Sequence, residues 1–317
     1  MYTCASLFAG VGGIDLGFEK AGVKTVYANE FDSYAADTFE KNFKIKVDRR
    51  DIHEVKASEL PDFDILLAGF PCQAFSIAGY RQGFDDEKGR GNLFFEVTRI
   101  MEEKRPRVAF FENVKNLVSH DNGNTFRVIC EQLDLLGYKY LFQVMNASEY
   151  GNIPQNRERI YIVAFRDKED YSNFSLPKSI PLTKSIKDVI DFDGEKDEKF
   201  YYTPEKCSFY DELKRSMVTS DTIYQWRRVY VRENKNNLVP TLTANMGTGG
   251  HNVPLILTHD SRIRKLTPRE CFNVQGFSKT FKLPDQSNGR LYKQAGNSVV
   301  VPVITRIAKS IILALSN

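Results

Sequence analysis

A chain of 317 residues has room for one large α/β domain and a smaller companion, which excludes the peptide and disordered classes. With 42% hydrophobic and 27% charged residues the composition is that of a globular protein, and no apolar run approaches a bilayer span. The formal net charge of +3 permits a polyanionic partner without demanding one.

Five cysteines with no CxxC pair argue against a disulfide framework and a zinc site, and four histidines without ligand spacing give metal catalysis no support. The opening MYTCASLFAG lacks a basic segment followed by a long apolar core, so no secretory signal is expected and the expected location is the cytoplasm.

In chain order, residues 3–8 read as a strand, AGVGG as a glycine turn, and GIDLGFEKAG as a helix with Ile14, Leu16, Phe18 and Ala21 on its apolar side. A second strand, 23–28, ends at Asn29-Glu30-Phe31. That puts an acid about 20 residues past the glycine turn, the spacing at which a carboxylate takes ribose hydroxyls in nucleoside-binding folds. The full GxGxxG is missing, so these glycines need not cradle a pyrophosphate. A helix over 33–43 and a short strand lead to Asp51 and Ile52, suited to an adenine edge.

The apolar run Phe63 and Ile65 to Ala68 reads as a buried parallel strand that delivers GFPCQAFSIAG, with Pro71 fixing the backbone before Cys72. A free thiol is only about a few per cent ionised at pH 7, so a nucleophilic Cys72 needs a cation, a helix N-terminus, or an acid that activates its electrophile.

A helix over 92–104 and a strand over 107–111 follow, the strand ending in Glu112-Asn113-Val114; Glu112 either faces the same crevice or caps a helix. SHDNGN is a turn by its Asn-Gly chemistry, followed by a helix over 125–136 and a strand over 140–146. QNRERIYIVAF places Arg157 and Arg159 two apart at a strand start, hence on one side, where two guanidinium groups can hold an anion or a carboxylate.

The pattern loosens from 168 to 200, and a domain boundary is expected near 180. Beyond it Tyr224, Trp226, Arg227, Arg228, Tyr230, Arg232 and Lys235 interleave, either as a phosphate and stacking surface or as a solvated face. TLTANMGTGGHN reads as an adaptable recognition loop. Thr267-Pro268 opens a short helix with Glu270. In 291–315 a Gly-Asn-Ser turn precedes an apolar-faced helix, which is expected to return to the first domain and bring Asn297 beside the first glycine turn.

The ordered set SLFAGVGG, ANEFD, GFPCQAFS, GNLFFEV, FFENV, QNRERIYIV, RKLTPRECFNVQGF and QAGNSV resembles the DNA (cytosine-5) methyltransferases, above all the compact bacterial modification enzymes. The resemblance spans nearly the whole chain apart from about 170–260, where that family keeps its variable target-recognition domain. It implies an α/β, Rossmann-like mixed sheet in 1–180 plus 291–317, binding S-adenosylmethionine and releasing S-adenosylhomocysteine. A smaller, mostly irregular or β recognition domain is expected in 181–290.

Carried over by position, the resemblance makes Cys72 the nucleophile on C6 of a flipped-out cytosine. Glu112 holds N3 and the exocyclic amine, Arg159 the base carbonyl, and Arg157 positions the loop and Glu112. Phe8, Gly10 and Gly12 surround the methionine part of the cofactor, Glu30 takes the ribose, Phe31 the adenine face, and Asp51 and Ile52 its edge. Pro71, Leu93, Asn297 and Ser298 complete that site. Gln73, Ser76, Arg227, Arg228, Arg232, Thr241 and Leu242 are expected on DNA, with no metal.

Arg50 and Phe31 replace a usual glycine and tryptophan, and Asn156 stands where a basic residue is common. The stretch 226–252 is similar to recognition domains for CC-containing palindromes such as CCNGG or CCGG. A monomer acting on duplex DNA beside a cognate endonuclease is expected. The rivals are an RNA (tRNA) cytosine-5 methyltransferase, an idle DNA-binding relative, and a nicotinamide oxidoreductase.

Overall fold

Short apolar runs bounded by turns become the strands β1 (Thr3–Leu7), β2 (Lys24–Asn29), β3 (Ile65–Ala68), β4 (Val108–Val114) and β5 (Lys139–Asn146). After the two-residue β6 (Gln155–Asn156) comes β7 (Glu158–Phe165). In the computed structural model, which describes residues 1–71, 93–248 and 251–316, six of them form one sheet in the order β2-β1-β3-β4-β7-β5. β1, β2, β3 and β4 pair in parallel, and β7 runs antiparallel to β4. The sheet is therefore mixed, as expected. Its central strands are buried on both faces, which is why ILLA and VAFF read as unbroken apolar runs.

The described residues cluster into two units: Met1–Met145 with Glu158–Lys178 and Val303–Asn317, and Asn146–Arg157 with Ser179–Pro302. The second is wider than the 181–290 region read as a recognition domain. In the first unit, one core gathers Leu66, Phe94, Ile100, Phe111, Ile129 and Ile162. The last helix, Val301–Leu315, supplies apolar cover to the first unit: a Cβ on Gly17 would lie 2.4 Å from Ile304, and Tyr2 donates its hydroxyl to the Leu315 carbonyl at 2.7 Å. The helical stretch Asn288–Leu315 is long and apolar enough to cross a bilayer by composition, contrary to the reading above. Most of its apolar window is buried in the protein, as in a core helix.

The second unit holds β8 (Ile223–Trp226), β9 (Val231–Asn234), β10 (Val239–Pro240), β11 (Leu255–Leu257) and β12 (Ile263–Lys265). Four of them form an antiparallel sheet in the order β12-β11-β8-β9, while β10 pairs in parallel with β6. Its core contains Leu213, Tyr224, Leu255 and Ile263, and Phe209 stacks on Trp226 with ring centroids 4.1 Å apart. Tyr224 is thus buried in this core and offers no free stacking surface, while Trp226 is half-buried with Phe209 stacked on its ring.

The Gly-Asn-Ser turn is also revised. Residues Asn288–Asn297 form a helix, and Ser298 is its C-cap.

Candidate active site

Glu112 does not sit at a strand end. β4 continues to Val114 because β7 pairs with it throughout, with Glu112 opposite Tyr161 and Val114 opposite Arg159. Residues opposite and two along share a face, so the Glu112 carboxylate and the Arg159 guanidinium meet, Nε to Oε1 at 3.2 Å, with both side chains largely shielded from solvent. Arg159 also donates to the Glu158 carbonyl at 2.8 Å.

The parallel pairing of Ala68 with Phe111 brings the end of β3 alongside. The buried Asn113 amide then donates to the Phe70 carbonyl at 2.8 Å, tying the Gly69-Phe70-Pro71 turn to β4. A Cβ on Gly69 would sit 3.8 Å from Glu112 Oε2. The chain thus enters the Cys72 segment within reach of the Glu112 carboxylate. Cys72, Gln73 and Ser76 themselves lie outside the described residues. Asn113 was not singled out from sequence; its place between Glu112 and Val114 in FFENV was the available signal.

Burial pushes the thiols of Cys4, Cys130, Cys207 and Cys271 up, which keeps them protonated and poor nucleophiles.

Arg157 falls between β6 and β7, so the strand alternation that would put it on one side with Arg159 breaks there; the loop it is expected to position lies outside the described residues. The buried guanidinium donates to the carbonyls of Leu242, Gly296 and Ser298 at 2.7, 3.1 and 2.6 Å. It acts as a tie between backbone segments.

On the cofactor side, β1 leads into a turn with φ of 55° at Phe8, 55° at Gly10 and 84° at Gly12. A Cβ on Gly12 would overlap the Phe43 ring at 2.3 Å, whereas one on Gly10 would meet no described residue within 4 Å beyond its chain neighbours. Glu30 holds this turn: Oε2 accepts the Gly10 N–H at 2.8 Å and Oε1 the Asp32 N–H at 2.7 Å.

Phe31, 71% exposed, presents a bare ring beside it. Asp51 caps a short 3-10 turn through the His53 N–H, which holds its carboxyl below the usual range. Ile52 is buried, so any contact to a ligand edge would come from its backbone. Arg50, in place of glycine, is engaged by Asp48 at 2.6 Å and Glu59 at 2.8 Å. Pro71 is exposed and Leu93, half-buried, opens the helix Leu93–Lys104. In the second unit Asn297 is exposed and Ser298 buried.

Under the glycine turn lies Asp15, wholly buried and unnoticed in the sequence, where it reads as a polar position on a helix. It accepts hydrogen bonds from Ser6 at 2.9 Å and Thr25 at 3.4 Å, and burial pushes its carboxyl up to about 7.

Among residues expected on DNA, Arg227, Arg228 and Arg232 are exposed on the β8–β9 hairpin, with Arg228 at φ 68° in its turn. Thr241 is exposed and donates its hydroxyl to the Asn156 carbonyl at 2.6 Å. Leu242 is 1% exposed, so its side chain belongs to the core and not to a DNA surface. Within TLTANMGTGGHN, read as a recognition loop, Ala244–Gly247 forms a 3-10 turn with Met246 buried, and Gly249 and Gly250 lie outside the described residues.

A family model described as C-5 cytosine-specific DNA methylase matches residues 2–313. The chain is 62% identical over 312 residues to the Type II methyltransferase M.Bsp6I of Bacillus sp. (strain RFL6), covering 98% of each chain. It is 41% identical over 318 residues to the Type II methyltransferase M.HhaI of Haemophilus parahaemolyticus, covering 96% of this chain and 92% of that one. In fold alone it is similar to a Spodoptera frugiperda DNMT2 mutant, with a TM-score of 0.77 at 20% identity over 98% of this chain and 100% of that one. These findings favour the DNA over the RNA reading. The chain belongs to the C-5 cytosine-specific DNA methylase family and is an S-adenosylmethionine-dependent DNA (cytosine-5) methyltransferase.

Proposed function

We propose that Cys72, Glu112 and Arg159 carry the methyl transfer in this chain, and the observation behind this is the Glu112–Arg159 pair beside the end of β3. Neutral cytosine is a poor electrophile at C6. Glu112 offers an acid at N3 and Arg159 a cation at the base carbonyl, so negative charge is relieved as the Cys72 thiolate adds. The addition makes C5 an enamine-like carbon that takes the methyl group; loss of the C5 proton then expels the thiolate and restores the ring. These groups cannot reach a base within a duplex, so the cytosine is flipped out at a cost of about a few kcal/mol.

S-adenosylmethionine supplies the methyl group. The turn at Phe8, Gly10 and Gly12, the Glu30 carboxylate and the bare Phe31 ring suit it, with Asp51, Ile52, Pro71, Leu93, Asn297 and Ser298 completing its site. Residues 181–290 serve as the recognition domain, Arg227, Arg228 and Arg232 meeting phosphates or bases. The enzyme acts as a monomer in the bacterial cytoplasm, protecting host DNA beside a cognate endonuclease.

The test is a covalent trap. Duplex DNA containing 5-fluorocytosine is incubated with S-adenosylmethionine and the wild type or Cys72→Ser, because fluorine at C5 blocks the elimination. A wild-type adduct that maps to Cys72 and is absent from the variant supports the assignment; an adduct on tRNA only, or none, overturns it. Bisulfite sequencing of enzyme-treated plasmid reads the target sequence, and methylation outside CC-containing palindromes would sink that expectation.

A further inference from the structure

In the first unit the backbone on either side of Asp51 is pinned by groups from other elements. The buried Asn29 amide donates to the Asp48 and Arg50 carbonyls at 3.0 and 2.9 Å, and the Asp48 N–H reaches the Ala28 carbonyl at 2.8 Å. From the helix Leu93–Lys104, Arg99 donates to the carbonyls of Ile52 and Val55 at 3.3 and 2.8 Å. With the backbone held, the freedom left at Asp51 is rotation of its half-exposed carboxylate, a broad torsion with little preference of its own.

His53 removes that freedom. Its backbone N–H donates to Asp51 Oδ1 at 3.0 Å, and its ring Nδ1 stands 2.5 Å from the same oxygen. The two bonds, the backbone one foremost, hold the carboxyl below its usual range, so it is ionised at neutral pH. An ionised carboxylate only accepts, so the imidazole proton sits on Nδ1 and both donors converge on Oδ1.

A second observation is independent of His53. The neighbouring cation, Arg50, is turned to Asp48 and Glu59 at 2.6 and 2.8 Å and does not compete for Asp51. Oδ2 is therefore left without a partner among the described residues. An oxygen kept in this state accepts an amine proton, and a site built for such a proton rejects a ligand that lacks it.

We infer that His53 is a positioning residue for cofactor specificity: by holding Oδ1 it presents Oδ2 to the 6-amino group of the base, so that the site selects adenine over a purine without that group. His53 acts through Asp51 and touches no ligand itself. The inference rests on the proposed assignment of Asp51 to the adenine edge.

The experiment is calorimetric titration of the full chain with S-adenosylhomocysteine and with its 6-deamino analogue, which keeps the ring nitrogens and lacks only the amine. Wild type is expected to bind the first about 30-fold more tightly, in the range of one hydrogen bond to a charged group. His53→Ala is expected to cut that ratio to about 5 or less, because the carboxylate is then free to turn. His53→Asn, whose side-chain N–H stands where the ring Nδ1 was, is expected to restore it. A merely structural role would weaken both ligands alike and leave the ratio unchanged.

If His53→Ala fails to melt cooperatively, His53→Phe, which keeps a ring without the donor, decides in its place with the same expected loss. A ratio that His53→Ala leaves at the wild-type value, or that His53→Asn does not restore, overturns the inference. Asp51→Ala locates the failure. A wild-type ratio near 1, or one undiminished in Asp51→Ala, removes the assignment of Asp51 to adenine and the inference with it. A ratio lost in Asp51→Ala but kept in His53→Ala upholds that assignment and overturns the role of His53 alone.

Discussion

Asp15→Asn should change how stability depends on pH. The carboxyl is wholly buried, with Ser6 and Thr25 as hydroxyl donors; burial raises it from 3.8 to about 7 against the opposing effect of those hydrogen bonds. A rise of about 3 pKa units is about 4 kcal/mol of preference for the neutral acid in the folded state. An acid raised on folding binds a proton more readily in the native than in the unfolded chain. Its contribution is therefore most favourable below the unfolded value of 3.8, declines by about 1.4 kcal/mol per pH unit toward 7, and is least favourable above that.

The amide of Asp15→Asn does not titrate. Its oxygen can still accept from Ser6 while its NH2 faces the Thr25 oxygen. The stability difference, variant minus wild type, should grow by about 3 kcal/mol between pH 5 and pH 8. Urea unfolding followed by circular dichroism measures it, and taking the difference cancels the other titrating groups. Fluorescence will not serve, since the single tryptophan, Trp226, lies in the second unit. A difference that stays constant with pH would refute the reasoning.

Further outcomes are expected elsewhere. Glu112→Gln keeps the shape of the group that pairs with Arg159 but cannot supply the acid; single-turnover methyl transfer should fall by about 10²–10⁴ with cofactor affinity retained, and a loss under tenfold would count against its role. Glu270→Gln strips the buried Arg264 guanidinium, 2.7 Å away, of its ionic partner. It should cost about 3–5 kcal/mol in urea unfolding read by Trp226 fluorescence, which reports on that unit. His259, between Asp193 and Asp221, is raised by those two hydrogen bonds, so its stabilisation is full below pH 6.5 and disappears as pH rises through its folded value. His259→Gln should therefore be less stable than wild type at pH 5.5 and match it at pH 9; equal deficits at both would exclude the protonated bridge.

Some of this architecture is written in local pattern. Strand runs such as ILLA and VAFFE, the glycine turn after β1, and Glu30 some twenty residues beyond it depend on periodicity and on φ values that glycine alone takes easily. Parallel pairing of β3 with β4 then follows from the alternation of strands and helices, which is why the Cys72 segment and Glu112 could be read together.

What pattern could not decide was the destination of a side chain once strand alternation broke. Arg157 and Arg159 stand two apart, yet the gap between β6 and β7 sends the first to three backbone carbonyls and leaves the second with Glu112. Leu242 and Tyr224 sit in polar or basic surroundings in the sequence, and only the second unit's packing buries them. Asp15 looks like any polar helix position until β1 and β2 close over it. In each case the chain specified the residue, while the desolvation and pairing that give it a role came from segments distant in sequence, which only the tertiary structure brings together.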